Sequence, residues 1–474
     1  METKGIRTIT LIFLITGAID SIRNLPATAL FGNSLFFFFV VSAILFLIPI
    51  ALISATLSAC WPQHGGVYSW VKRAFGEKIA FLAIWLQWIN TLIWLPTILS
   101  FLAGTSAYLI NSELATNKFY LISVMLFLNV LLTWINSKGI HVSARISSLC
   151  AIIGTMIPIV FIIILGLIWL ISGKPLQLHL TWSDIIPHFS KTSSWISLTA
   201  IVTSFLGTEL ATVHIRDVHH PQRTFPKALA ISVIIVMTTI FFGALTIAFV
   251  LQTNQIGLVN GIAETFSYFL KAFHLDSLLP VVILMLLIGC FGGIISWIIS
   301  PTRGLLQAVE FGFLPPFFAK TNRHGAPINL LYTQAFFTFI LSLLFLLVPS
   351  INSTYWLLTD LSTQLYVLMY VLMFVAALAL TYHVHHIPSA FKIPGGTLGY
   401  QFACLLGLLG CSIALIVGFF QPANINIGTT VPYHVIFGGA MILMISPILY
   451  FYLYQYITNR IKLTDAEMIN QSVH

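Results

Sequence analysis

Apolar residues fall into twelve runs long enough to cross a bilayer, near 6–31, 34–59, 79–110, 119–136, 145–172, 193–214, 227–252, 277–310, 327–349, 354–381, 399–420 and 433–457. A spanning helix needs about 20 such residues. Two runs exceed one straight span and are expected to tilt or overhang. The first run is interrupted in its middle third by Thr16-Gly-Ala-Ile-Asp20-Ser-Ile-Arg23-Asn-Leu-Pro26. A charge at bilayer depth costs about 2.5–3.5 kcal/mol on insertion scales, so two within four residues need a reason. Gly17 and Pro26 weaken a helix, and Asp20 or Ser21 can cap a restarted half-helix. Broken helices are tolerated at membrane depth where they line a cavity. The alternative is an Asp20–Arg23 pair, three residues apart, inside an unbroken helix.

The sixth run carries the second interruption, Thr203-Ser-Phe-Leu-Gly207-Thr-Glu209-Leu210. Runs 1–5 and 6–10 then form two halves of opposite orientation, each with its first helix broken. Corresponding breaks in two such halves point to an inverted-repeat transporter.

Composition removes the competing classes. The 474 residues are 58% hydrophobic and 7% charged, with mean hydropathy +0.98, against about a quarter charged in soluble domains. The chain is therefore a polytopic membrane protein. No cleavable signal peptide is visible, because the short basic N-terminus leads straight into a spanning run. The five cysteines, Cys60, Cys150, Cys290, Cys404 and Cys411, lie in or beside apolar runs without metal-ligand spacing and read as packed thiols. No metal, cofactor or nucleic-acid site is expected, and no hydrolase or metalloprotease motif occurs in the apolar runs. With the N-terminus inside, sixteen Lys and Arg fall in cytoplasmic segments and four, Lys118, Lys174, Lys191 and Lys271, in outer ones. This split places both termini in the cytoplasm and accounts for most of the +8 net charge.

The loops and helix faces add detail. Trp61-Pro-Gln-His-Gly65-Gly66-Val-Tyr-Ser-Trp70 predicts a tight turn and a short interfacial element. Gln87 and Asn90 share one face of the third helix, either bordering a cavity or bonding neighbours. Residues 254–274 place Phe266, Phe269, Leu270 and Phe273 at helical spacing, an amphipathic outer helix that is either a lid or a passive cap. Tyr366 and Tyr370 share a face of the tenth helix, and Asp360 is near the outer interface or buried.

Several motifs carry a resemblance in order along the chain: Gly65-Gly66-Val67-Tyr68; Pro221-Gln-Arg223-Thr-Phe-Pro226-Lys-Ala228; Ser296-Trp-Ile-Ile-Ser-Pro301-Thr-Arg303-Gly304 followed by Leu314 to Pro327; and Phe391-Lys-Ile-Pro394-Gly395-Gly396. Each stands at a helix boundary. Together they resemble the amino acid–polyamine–organocation (APC) superfamily, and most of all its glutamate/GABA antiporter group. The resemblance implies an all-α fold of twelve transmembrane helices. These form a LeuT-type inverted repeat of five plus five with two appended: one transport domain over 1–457, with repeats 6–172 and 193–381, helices 11 and 12 over 399–457, and a short cytoplasmic tail 458–474. It implies exchange of amino acids or their decarboxylation products across a bacterial inner membrane, with small-molecule amino acids or amines and the lipid bilayer as partners. In that fold the substrate carboxylate meets amides at the first break and its ammonium meets carbonyls at the sixth. By position the resemblance assigns Thr16, Gly17, Ala18 and Ile19 to the first site and Ser204, Phe205, Leu206 and Gly207 to the second. Glu209 opens the second half-helix, and Trp297 gates or packs the cavity.

The chain departs from that antiporter in lacking a long C-terminal plug and in carrying Asp20 and Arg23. Glu209 reads as a proton-coupling carboxylate, a cation-binding group or a structural acceptor. Asp20 is the other proton-coupling candidate. Arg23 suits a substrate side-chain carboxylate or the Asp20 pair. His219, His220, His383, His385 and His386 read as cytoplasmic pH sensors or interfacial polar groups. Ser296 and Ser300 are isolated hydroxyls that assemble no sodium site.

Overall fold

A computed structural model describes residues 8–62, 66–138, 149–178, 186, 192–210, 212, 218, 220–252, 255–387, 391–421, 428 and 431–458. Among them, eleven stretches are long and apolar enough to cross a membrane. The first span is split into α1 (Thr8–Ile19) and α2 (Leu25–Ala29). The second runs as α3 (Leu35–Ser42), one π turn, and α4 (Ile48–Cys60). A short helix α5 (Val67–Phe75) leads into α6 (Glu77–Ala107), followed by α7 (Lys118–Ser137) and α8 (Ile157–Ile171). The sixth expected run, 193–214, is not among these eleven: it is regular only over α9 (Thr192–Ser204) and then unwinds. Next come α10 (Pro221–Val250), the short α11 (Gly261–Ala272), α12 (Leu279–Glu310), and α13 (Ile328–Ser342) with the one-turn α14 (Leu344–Leu347). The chain closes with α15 (Ile351–Ala379), α16 (Thr381–His386), α17 (Gly396–Gly418) and α18 (Tyr433–Ile445), the last span continuing to Thr458.

Two long helices form the centre. α6, 31 residues, packs against α15 and α12, and α15 packs against α17. At about 1.5 Å per residue α6 is about 46 Å long, longer than the hydrocarbon core. Its polar residues point inward: Asn90 and Thr97 are buried, and the Trp88 indole donates to Gln334 at 3.1 Å. The peripheral helices turn apolar faces outward. On α17, Leu398, Phe402, Leu405, Leu409 and Ile416 form one exposed stripe at helical spacing. So much exposed apolar surface suits lipid rather than water.

Glycine sets the closest crossing. A Cβ on Gly154 would lie 2.1 Å from Gly289 Cα, so the span carrying α8 touches α12 backbone to backbone. Small residues permit such approach in membranes, where packing and hydrogen bonding replace the hydrophobic drive.

The short elements match their sequence signals. Gly66 has φ +96° and starts α5, which buries Trp70, while the Arg73 guanidinium lies 4.8 Å from the Trp61 ring. Gly65 lies outside the described residues. Helix α11 buries Phe266, Phe269 and Leu270, with Phe273 packed at its end. It sits directly on α2: a Cβ on Gly261 would lie 3.0 Å from Pro26 Cβ. The Lys174 ammonium lies over Trp169 and Phe273 and donates to the Ala272 carbonyl at 3.0 Å, tying the C-terminal end of α8 to α11.

Candidate functional site

The first span breaks at Asp20 and Ser21. Helix α1 runs through Gly17, whose missing side chain makes room for Ala151 (a Cβ would lie 2.5 Å from Ala151 Cβ). The Asp20 amide still donates to the Thr16 carbonyl at 2.7 Å. Ser21 then adopts an extended conformation (φ −132°, ψ 110°), and a tight turn, Ile22–Asn24, leads into α2. The capping expectation needs correction: neither Asp20 nor Ser21 caps the restart with its side chain. The Asp20 carboxylate instead accepts from Thr239 Oγ1 on α10 at 2.6 Å through Oδ2, while Oδ1 has no partner.

The Asp20–Arg23 pair is also not made, because the break turns the two residues onto different neighbours. Among the described residues the salt bridge is Lys72–Glu77, at 2.9 Å. Arg23, 2% exposed, donates through Nη1 to Thr97 Oγ1 at 3.1 Å and to Tyr355 Oη at 3.0 Å, and Nε has no partner. Its guanidinium lies 5.1 Å from the centre of the Trp94 ring, a cation–π contact.

The second break is held by tyrosines. Gly207 takes φ +95°, a conformation that L side chains rarely adopt, and its amide donates to Tyr370 Oη at 3.0 Å. Tyr366 and Tyr370 donate their hydroxyls to the two oxygens of Glu209. Glu209 is thus a buried acceptor that locks the unwound segment to α15. The Gln87 amide adds a contact to Tyr366 at 3.4 Å, and Asn90 donates to the Ser362 carbonyl at 2.7 Å, so both faced neighbours.

Between the breaks lies a cavity of about 80 Å³. Of the candidate substrate-binding residues, Gly17, Ala18, Ile19, Asp20, Arg23, Leu206 and Trp297 line it. Thr16, Ser204, Phe205, Gly207 and Glu209 do not. Phe205 packs on Phe39 at 5.3 Å, and Ser204 bonds to the Ala200 carbonyl and lies 3.4 Å from Thr28 Oγ1. Gly207 stands just behind the wall, where a Cβ would come within 3.2 Å of both Trp297 and the Ala18 carbonyl. Trp297 stacks on Trp94 at 5.2 Å, so an indole pair closes one side. Asp20 and Arg23 are the charged residues of the lining.

Residues 6–442 match the model of the family described as amino acid permease. The chain belongs to the amino acid permease family. It is 36% identical over 444 residues to an uncharacterized transporter of Legionella pneumophila, covering 93% of the permease and 95% of that relative. It is 26% identical to a glutamate/gamma-aminobutyrate antiporter of Lactococcus lactis subsp. lactis, covering 94% and 88% of the two chains. To the protein of the same name in subspecies cremoris it is 28% identical, over 90% and 84%. The permease is therefore an integral membrane transporter of the APC superfamily, resembling the glutamate/GABA antiporter group, and takes amino acids or amines. It is not an enzyme.

Sequence reasoning passed over part of the permease's cavity. Asn90 and Trp94 are polar or aromatic residues on α6 and Thr203 opens the second interruption, but Ile98, Thr155, Gly289, Cys290 and Ser362 carried no signal that separates cavity from core. Asp360 proves buried, accepting from Gln364 at 3.1 Å and Tyr433 at 2.7 Å. It lines a small second cavity that shares Asn24 and Thr203 with the first. His220 and the α16 histidines are described, the latter at the end of the tenth span; His219 and the side chains of Ser296 and Ser300 lie outside the described residues.

Proposed function

We propose that the permease exchanges an acidic amino acid for its decarboxylated product by alternating access, with proton linkage. The observation that carries this reading is a buried guanidinium, lying over the Trp94 ring and without a carboxylate partner, among the residues lining the cavity between the two breaks. A planar guanidinium suits bidentate binding of a carboxylate, and an aromatic face fixes its plane. Its Nε is buried without a partner, a donor that a substrate side-chain carboxylate would satisfy once the cavity opens onto it. The α-carboxylate finds the amides of Ile22 and Arg23 in the first turn of the restarted half-helix, where a helix N-terminus leaves donors unsatisfied. The substrate ammonium faces the carbonyls at 203–206, where α9 ends and the chain unwinds. Relatives named glutamate/gamma-aminobutyrate antiporters support glutamate and γ-aminobutyrate as the exchanged pair.

In this reading the chain is one transport domain built on two five-helix repeats. It lies in a bacterial inner membrane with cytoplasmic termini, as the distribution of Lys and Arg supports.

Purified protein in liposomes provides the test. Labelled glutamate uptake is expected to rise at least tenfold when the lumen holds γ-aminobutyrate. Uptake that is the same into empty vesicles would exclude exchange. Glutamate is also expected to raise the melting temperature of the wild type and not of Arg23→Ala. Stabilisation by neutral or cationic compounds alone, equal in both proteins, would move the substrate assignment away from Arg23.

A further inference from the structure

The cavity is lined by one cationic and one anionic residue that do not pair with each other. Asp20 commits Oδ2 to Thr239 and leaves Oδ1 without a partner; Arg23 commits Nη1 to Thr97 and Tyr355 and leaves Nε without one. Both are at most 3% exposed. Buried polar atoms are rarely left unpartnered, and here two such atoms belong to oppositely charged residues that line one cavity. The groups facing Asp20 are few. Arg23 shares its span, Thr239 comes from α10, and Cys290 on α12 is the remaining titratable residue of the lining; α6 contributes Asn90 and Trp94, and α15 contributes Ser362. Glu209 stands behind the wall, engaged by two tyrosines.

We propose that Asp20 is the proton carrier of the transport cycle and that, with Arg23, it matches the cavity's charge to the cargo. The inference rests on the exchange reading above and names the coupling group within it. With Asp20 ionised, the Asp20–Arg23 couple is neutral; with Asp20 protonated, it is +1. An acidic amino acid carries −1, and its α-decarboxylated product, with one carboxylate and one ammonium, carries 0. A loaded cavity must cross low-dielectric surroundings, where unbalanced charge is disfavoured. Neutrality therefore pairs the acidic amino acid with protonated Asp20 and its product with ionised Asp20. One cycle moves the amino acid anion and one proton in one direction and the neutral product in the other. The proton rides on an Asp20 oxygen and is released when the cavity opens, so no net charge crosses. A fixed charge at this position would keep one cargo and discriminate against the other.

The experiment uses purified full-length protein in liposomes with a trapped pH dye and a potential clamped by potassium and valinomycin. Labelled glutamate is exchanged for internal γ-aminobutyrate. The wild type is expected to acidify the lumen by about one proton per glutamate taken up, at a rate independent of the clamped potential. In Asp20→Asn the ratio of glutamate self-exchange to glutamate/γ-aminobutyrate exchange is expected to rise at least tenfold, and proton movement to vanish. In Arg23→Gln the ratio of γ-aminobutyrate self-exchange to glutamate self-exchange is expected to rise at least tenfold. Ratios within one preparation cancel losses of folded protein, and Asp20→Glu is expected to restore proton movement. Unchanged proton stoichiometry in Asp20→Asn would overturn the assignment and leave exchange standing. A wild type that exchanges with no proton, or with a rate set by the potential, would overturn it without any variant. No glutamate uptake by the wild type would instead remove the exchange reading beneath it.

Discussion

At the scale of single residues, the second break is a set of obligatory partners. Tyr370 both accepts from the Gly207 amide and donates to Glu209. Tyr370→Phe would strand a buried amide and a carboxylate oxygen, each worth about 1–3 kcal/mol. Its melting temperature in detergent should fall by more than that of Tyr366→Phe, whose hydroxyl does not hold the backbone. Gly207→Ala should destabilise by at least about 1–2 kcal/mol through the left-handed backbone alone, with further strain against Trp297 and the Ala18 carbonyl; chemical denaturation measures it. Asp20, Arg23 and Glu209 were legible in the sequence because a charge in an apolar run stands out. Their partners Thr239, Thr97 and Tyr355 were not. Threonine and tyrosine are ordinary in membrane helices, and the partners lie 219, 74 and 332 positions away.

At the scale of elements, small residues decide which helices meet. A side chain at Gly289 would drive into Gly154, and Gly289 also lines the cavity. Gly289→Val should therefore lower thermal stability, as overpacking costs about 1–3 kcal/mol, and weaken substrate binding at least tenfold by ligand-induced melting shift. The short helix α11 carries a pH-sensitive contact. Burial holds the Glu264 carboxyl above the usual carboxylate range, opposed by a hydrogen bond from the Gly257 backbone. The Tyr108 hydroxyl beside it is pushed up to about 12 by burial and by the Glu264 charge. The folded state thus holds the Glu264 proton more tightly than the unfolded chain. Its stabilising contribution is present at low pH and is lost as pH rises through the raised value. Glu264→Gln should match the wild type in melting temperature near pH 4 and exceed it near pH 7. Equal melting temperatures at both pH values would mean that the burial has no consequence for docking of α11. The helix itself was readable from the spacing of Phe266, Phe269 and Leu270, but its seat on Pro26 was not, because the spacing gives a face and no partner.

At the scale of the whole molecule, rigid and labile parts are separated. α6 and α15 form a continuous helical centre, while 20–24 and 205–210 give up regular backbone bonding at the cavity. Local opening free energies should follow that division. Hydrogen exchange in lipid nanodiscs should show amides in the middle of α6 and α15 protected at least a hundredfold more than those at 205–210. Substrate should protect the breaks and leave the centre unchanged. Uniform protection would mean that the two breaks are as rigid as the scaffold, which alternating access does not allow.

The sequence by itself determined the membrane class, the spans, the places where two of them are interrupted, and the charged residues at those places. These follow from local hydropathy and from the high cost of polar groups at bilayer depth, both written residue by residue. Tertiary structure alone decided that Asp20 and Arg23 do not pair, that Glu209 is clamped by two tyrosines behind the wall, and that Asp20 and Arg23 are the charged groups of the lining. The reason is that hydrogen bonds between helices join residues hundreds of positions apart. Which oxygen or nitrogen remains unpartnered depends on every helix that comes near it, and no local pattern encodes that arrangement.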